Sequence, residues 1–371
     1  MITADFAFAA DLHLRPHAWA NRPAVRDDAY HSFLQIVDWC VRYRAALVLG
    51  GDIFDQRRPD ARSLQVFSSG AARLAEAGLR IFFVQGNHDH SDPPWPALFP
   101  CTTALADSHP LKVGSYRVGG LDWQPAGRLR EALAGVGACN FVVTHQSWHE
   151  IQQAGIAEGR ISEIAWPCEY LLTGDYHGMR MLAVDAGGRR LFVGSPGSTC
   201  MQAINEAPTK FFFSVCRTDH GPAVTPIRLR TRRVANFRIE SEAAADSLLQ
   251  VRLPRFLQLA DRYRMLTDLP ETLWMPLVRI SYPAELPDFH RRVSDLFGQH
   301  VHLFLNPMAR TEVVDVDFDG LGPSAFSSLI AAARTLGGDA PHVEPLCRLL
   351  AARDIPAEYA AISEEFMGPV R

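Results

Sequence analysis

Short apolar runs and amphipathic stretches alternate along the first third of the chain. "FAFAA" near residue 6, "ALVL" near 46, "RIFFV" near 80 and "FVVT" near 141 have the length and composition of strands buried on both faces. Between the first two, Tyr30, Phe33, Leu34, Val37, Cys40 and Val41 recur at helical spacing. Leu64, Phe67, Ala71 and Leu74 do the same and stop at Gly78. The order is strand, helix, strand, helix, strand. Past residue 165 the pattern turns to hairpins: "MLAVDAGGRRLFVG" folds about Gly187 and Gly188, and "KFFFSVCRTDHGPAVTPIRL" about His220 and Gly221. An α/β fold with two sheets face to face and helices outside, a four-layer α-β-β-α sandwich, accommodates both halves.

The texture shifts near residue 226 to "PIRLRTRRVANFR", where Arg228, Arg230 and Arg232 line one side of an extended segment. Such a run is either a solvated edge or a contact for phosphate or a partner. Beyond it, "MPLVRISYP", a helix over 285–299, "VHLFLNP" and "EVVDVDF" predict a small α+β module over 226–320, after a first domain over 1–225. Residues 321–371, rich in Ala and Leu, predict a helical tail. There Leu346, Leu349, Leu350, Ile355, Tyr359 and Ile362 form either a docking face or a packing face onto the α+β module.

A formal net charge of −4 over 371 residues excludes binding to nucleic acid by overall charge alone, so an anionic substrate must be captured locally. Of the 37 basic residues only Lys112 and Lys210 are lysine, which leaves planar, bidentate arginine as the usual cation. Seven cysteines without a C-x-x-C pair argue against a disulfide framework or zinc knuckle. No basic lead-in precedes Asp5 and no apolar run reaches membrane-spanning length, so the expected location is cytoplasmic, without membrane contact.

Chemistry gathers where apolar strands end. "AADLH" gives Asp11 and His13, "VLGGDIFD" Asp52 and Asp55, "FVQGNHD" Asn87, His88 and Asp89, "VVTHQ" His145, and "LLTGDYH" Asp175 and His177. In open α/β sheets, ligands collect at the carboxyl ends of strands. Carboxylate, imidazole and amide oxygen without thiolate suit Mn²⁺, Fe²⁺ or Zn²⁺. The donors exceed what one ion takes, which points to two ions about 3.5–4 Å apart sharing a carboxylate. His149 is either a spare ligand or a surface residue.

These motifs, D-x-H, G-D-x-x-D, G-N-H-D, a later strand-end His and G-x-x-H, resemble in order those of the calcineurin-like metallophosphoesterases, over residues 1–215. "DLHL", "GDIFD" and "GNHD", followed by "VGSPGSTCMQAINE", look most like the SbcD-type nuclease subunits of DNA-repair complexes. The resemblance implies that Asp11, His13 and His177 hold one ion and Asn87 and His145 the other, with Asp52 bridging. It implies that His88 meets the scissile phosphate and aids the leaving oxygen, with Asp89 orienting it. It further implies a two-metal DNA exonuclease and endonuclease, using Mn²⁺ or else Mg²⁺, Fe²⁺ or Zn²⁺. The implied partners are DNA, an SbcC-like ATPase and a second copy of the chain. Asp175 departs from the family's G-H-x-H: it is either a carboxylate ligand that favours harder ions or a cap on a turn. A small-molecule phosphodiesterase or phosphatase, and a metal-poor scaffold, stand as alternatives.

Overall fold

A computed structural model describes residues 4–19, 21–99, 101–106, 109–152, 157–286 and 288–308. The expected strand at "EVVDVDF" and the helical tail lie outside the described residues. In β1 (Phe6–Ala9) the side chains alternate across the strand. Phe6 and Phe8 enter the core between two sheets, whereas Ala7 and Ala9 face an outer core beneath helices. The outer core is filled by Tyr30, Phe33, Ile36 and Val37 of α1 (Asp28–Tyr43) and Phe67, Ala71 and Leu74 of α2 (Ala61–Glu76). Asp60 caps α2 by accepting from the backbone N–H groups of Arg62 and Ser63 at 2.9 and 3.0 Å.

The strands β2 (Ala46–Gly50), β3 (Ile81–Val84) and β4 (Thr102–Ala104) continue the first sheet in parallel with β1. The second sheet begins with the hairpin β5 (Leu111–Val113) and β6 (Tyr116–Leu121). It continues in parallel through β7 (Phe141–His145) and β8 (Tyr170–Gly174), with α3 (Ala126–Ala134) after β6 and α4 (His149–Gln152) after β7. It closes with the hairpin β9 (Arg180–Ala186) and β10 (Arg189–Ser195), in which β10 lies beside β8. The chain then returns to the first sheet as the antiparallel pair β11 (Phe211–Thr218) and β12 (Gly221–Arg228), with β11 against β1. The sheet orders are β12-β11-β1-β2-β3-β4 and β5-β6-β7-β8-β10-β9. A third core, around Leu129, Leu133, Trp148 and Trp166, covers the outer face of the second sheet. The architecture is the expected α-β-β-α sandwich. Among the described residues no helix is long and apolar enough to cross a membrane.

A separate parallel sheet follows: β13 (Val234–Arg238), β14 (Leu277–Pro283) and β15 (His302–Met308). Between these strands run α5 (Glu242–Ser247), α6 (Leu253–Thr267) and α7 (Phe289–Phe297), which share a core with Val278, Ile280 and Tyr282. The other face of β15 meets the loop after β1: Phe304 packs edge-on to Trp19 at 5.2 Å, and the Arg22 guanidinium lies over its ring at 4.7 Å.

The arginine run divides. Arg228 and Arg230 are exposed, but Arg232 is 2% exposed and is neither a solvated edge residue nor a free anion contact. It grips Asp28 at the start of α1 with two hydrogen bonds of 3.0 and 2.9 Å. It also donates to the carbonyls of Arg26, Thr272 and Met275 at 3.1, 2.8 and 2.8 Å. Breaking a buried pair strands the other charge, so Arg232→Met is expected to cost about 3–5 kcal/mol in denaturant unfolding. A loss below about 1 kcal/mol, as for an exposed pair, would contradict this role.

Candidate metal centre

The carboxyl ends of β1, β2 and β3 in one sheet and of β7 and β8 in the other converge at one edge of the sandwich. The turns there are tight. Asp11, His13, Asp52 and Asp175 all adopt positive φ, at 52°, 44°, 48° and 79°, a conformation that non-glycine residues hold only where the surroundings dictate it. The His13 N–H donates to the Asp52 carbonyl at 2.9 Å and ties the first loop to the second. Gly51 has φ of 87°, and a Cβ there would lie 2.4 Å from Nδ1 of His145. Glycine is what allows the β2 turn and the His145 ring to share that space.

The imidazoles of His13, His145 and His177 are oriented alike. His145 Nδ1 lies 2.8 Å from the Gly50 carbonyl oxygen, which only accepts, so Nδ1 carries the proton and Nε2 the lone pair. His177 Nδ1 lies 2.9 Å from Glu206 Oε1, and His13 Nδ1 3.2 Å from Asp55 Oδ1. His145 and His177 thus turn a hydrogen-bonded Nδ1 to an acceptor and Nε2 to the centre, the arrangement that fixes metal-binding histidines, while His13 Nδ1 faces Asp55 without hydrogen-bond geometry. The Nε2 atoms of His13 and His177 stand 3.3 Å apart. Asp52 Oδ2 lies 3.5 Å from His13 Nε2 and 3.4 Å from His145 Nε2.

Asp11 and Asp52 are almost wholly buried. Burial raises the Asp11 carboxyl above its ordinary value against the pull of His145, His177 and His13. At Asp52 burial opposes ionisation too, but the imidazoles of His145, His13 and His88 hold the carboxyl well below the usual range. Three sets place one ligand atom of each member within 4.8 Å: Asp11, His13 and His177; His13, Asp52 and His88; Asp11, Asp52 and His145. Two further atoms test the fit: His145 Nε2 and Asn87 Oδ1 are buried without a hydrogen-bond partner, as atoms reserved for a cation are. The donor set fits a pair of divalent cations bridged by Asp52.

Asp175 lies beside the centre, tied to it through Asp11. Its N–H donates to both oxygens of Asp11 at 3.0 and 3.2 Å, its Oδ1 lies 4.0 Å from His145 Nε2, and its Oδ2 accepts from Gln152 at 3.4 Å. Asp175→Ala is expected to lower the bound cations from two per chain to one, whereas Asp175→His keeps two and shifts preference toward Zn²⁺. Elemental analysis of each variant checks this; a turn cap would change only stability, by about 0.5–2 kcal/mol.

His88 is exposed, with Nδ1 3.3 Å from the Asp55 carbonyl oxygen and its ring edge-on to His13 at 5.1 Å. Asp89 does not orient it, contrary to expectation. The Asp89 carboxylate accepts from the backbone of Ile53, Phe54 and Gly86 at 2.7, 3.2 and 2.8 Å, and so pins the turns after β2 and β3 together. Burial, reinforced by the Asp52 charge, pushes it up to about 6. His149 is exposed at the start of α4, 3.3 Å from Arg160, and is not a spare ligand. Asp55, to which the motif alone assigned no role, pairs with Arg15 at 2.7 Å and lies 3.2 Å from His13 Nδ1. Glu206, the acceptor behind His177, is not visible in the sequence, since one glutamate in an irregular segment carries no periodic signal.

Residues 4–151 match the family described as calcineurin-like phosphoesterase. The DNA double-strand break repair protein Mre11 of Sulfurisphaera tokodaii is 24% identical over 204 residues, covering 50% of this chain and 52% of that protein. The protein of the same description from Methanococcus maripaludis is 31% identical over 86 residues, covering 23% of each chain. The chain thus spans about half of the first relative's length and a quarter of the second's. Among solved structures, Vps29 of Entamoeba histolytica complexed with zinc aligns at a TM-score of 0.27 and 15% identity, over 60% of this chain and 98% of that one.

Proposed function

We infer, from the match of residues 4–151 to the calcineurin-like phosphoesterase family, that the chain is a metal-dependent DNA exonuclease and endonuclease of the SbcD kind. It acts in repair or recombination with DNA, an SbcC-like ATPase and a second copy of itself as partners. The observation that carries the hydrolytic reading is the single oxygen of Asp52 held 3.5 and 3.4 Å from two inward-facing imidazoles. DNA as the substrate is supported by the description of both Mre11 relatives as DNA double-strand break repair proteins.

Asp11, His13 and His177 would hold one cation, Asn87, His145 and Asp175 the other, and Asp52 both. When bound, such cations lower the pKa of a water and offset charge on the phosphoryl group. Asp175 in place of a neutral ligand favours the harder ions, Mn²⁺ before Zn²⁺. The chain's own contribution to bond cleavage is His88. The Asp55 carbonyl fixes its Nδ1–H, and its exposed ring offers Nε2 to the substrate, where the protonated form donates to the departing oxygen.

The test is cleavage of linear duplex and hairpin DNA in Mn²⁺, with and without a co-purified large ATPase. Digestion from ends and nicking of the hairpin are expected. Turnover of small phosphodiesters with both DNA substrates left intact would place the chain among small-molecule phosphodiesterases instead. Deleting residues 341–371 is expected to spare Mn²⁺-dependent cleavage of single-stranded DNA and to weaken association with the ATPase, as read by co-purification. Undiminished co-purification would refute a docking role for the tail.

A further inference from the structure

Behind His177 lies a carboxylate that none of the candidate cation sets includes. Glu206 Oε1 is 2.9 Å from His177 Nδ1 and accepts from the Ala203 N–H at 3.0 Å. Its Oε2 accepts from Ser198 Oγ at 3.1 Å, the Gln202 N–H at 3.1 Å and Lys210 Nζ at 2.6 Å. Lys210 is 3% exposed, and its ammonium also donates to Ser198 Oγ at 2.8 Å. In a chain whose basic residues are otherwise arginine, one of the two lysines is buried beneath this site. A compact ammonium fits a point contact between a carboxylate and a hydroxyl, where a planar guanidinium would present a wide fork.

The chemistry of the arrangement is specific. A carboxylate accepts only, so the His177 proton is held on Nδ1 and the Nε2 lone pair is aimed at the space beside His13 Nε2, 3.3 Å away, and Asp11 Oδ1, 3.9 Å away. Lys210 and Ser198 hold the Glu206 carboxylate in place from behind, with its Oε1 facing His177 Nδ1.

We propose that Glu206, with Lys210 as its buried counter-charge, is the positioning residue of His177: it fixes the ring as the Nδ1–H tautomer and sets the affinity of one cation site of the pair. This rests on the two-cation reading above. The alternative is that Glu206 merely latches the loop after β10 through its contacts to Ser198, Gln202 and Ala203.

Two measurements on the full chain separate these roles. The first is the histidine ring ¹H–¹⁵N correlation spectrum of the metal-free protein, which reads the tautomer directly. His177 is expected as the Nδ1–H form in the wild type and as a mixture or the Nε2–H form in Glu206→Ala. The second is titration with Mn²⁺ alone. Glu206→Ala is expected to weaken one site about 10–100-fold, with the other unchanged. Glu206→Gln, which keeps the shape and so guards against misfolding, weakens the same site less, and Lys210→Met moves that site in the same direction. An unaltered His177 tautomer with both Mn²⁺ affinities unchanged overturns the proposal, as does equal weakening of both sites. If the wild type binds no Mn²⁺, the two-cation reading fails, while the metal-free spectrum still decides whether Glu206 sets the tautomer.

Discussion

Asp52→Asn is expected to abolish hydrolysis, lowering turnover by about 10³ or more, and to remove at least one bound cation. The reasoning is geometric. Asp52 Oδ2 is the atom placed between His13 Nε2 and His145 Nε2, while its Oδ1 accepts from the His88 N–H at 3.0 Å. An asparagine of the same shape keeps an oxygen for the His88 N–H but offers a neutral amide where the shared charge is needed. The fold should survive, because the isosteric amide keeps the side chain's volume and its acceptor for the His88 N–H. Phosphodiester hydrolysis by Asp52→Asn within about tenfold of wild type, a change of about 1.4 kcal/mol, would remove the bridging role.

His88→Ala is expected to lose about 10²–10⁴ in rate with both cations retained, because general acid help is worth that much and the ring is assigned to the substrate. The exposed ring and the Asp55 carbonyl on its Nδ1 support the assignment. His88 also shares a possible cation set with His13 and Asp52, so the ion count is the discriminating readout. Loss of a cation in step with activity would make His88 a ligand.

The fold was legible where one force dominates. β1, β2, β3 and β7 are buried on both faces, so their apolar runs announce them, and α1 and α2 each hide one side and show helical spacing. α5 and α6 were missed because "SEAAADSLLQVRLPRFLQLADRYRML" mixes charge through its apolar positions and α6 buries few residues outright. Arg232 was misjudged for a related reason: spacing gives the side of a strand, but only the tertiary partner Asp28 makes that side interior.

The candidate centre was more legible than its supports. Asp11, His13, Asp52, Asn87, His145, Asp175 and His177 stand at strand ends, and parallel strands gather their carboxyl ends at one edge. The groups that orient them come from anywhere in the chain. Gly50 offers a carbonyl invisible in any motif, Glu206 arrives from a loop 29 residues past His177, and Asp89 turns to three backbone amides and not to the histidine beside it. A motif names atoms that meet a ligand; hydrogen-bond partners behind them depend on the fold.

The most direct test of the central claim is anomalous diffraction from crystals of the chain grown with Mn²⁺. The expected result is two peaks about 3.5–4 Å apart with Asp52 between them, one bounded by Asp11, His13 and His177 and the other by Asn87, His145 and Asp175. A single peak, or none within bonding distance of Asp52, would contradict a two-cation phosphodiesterase centre.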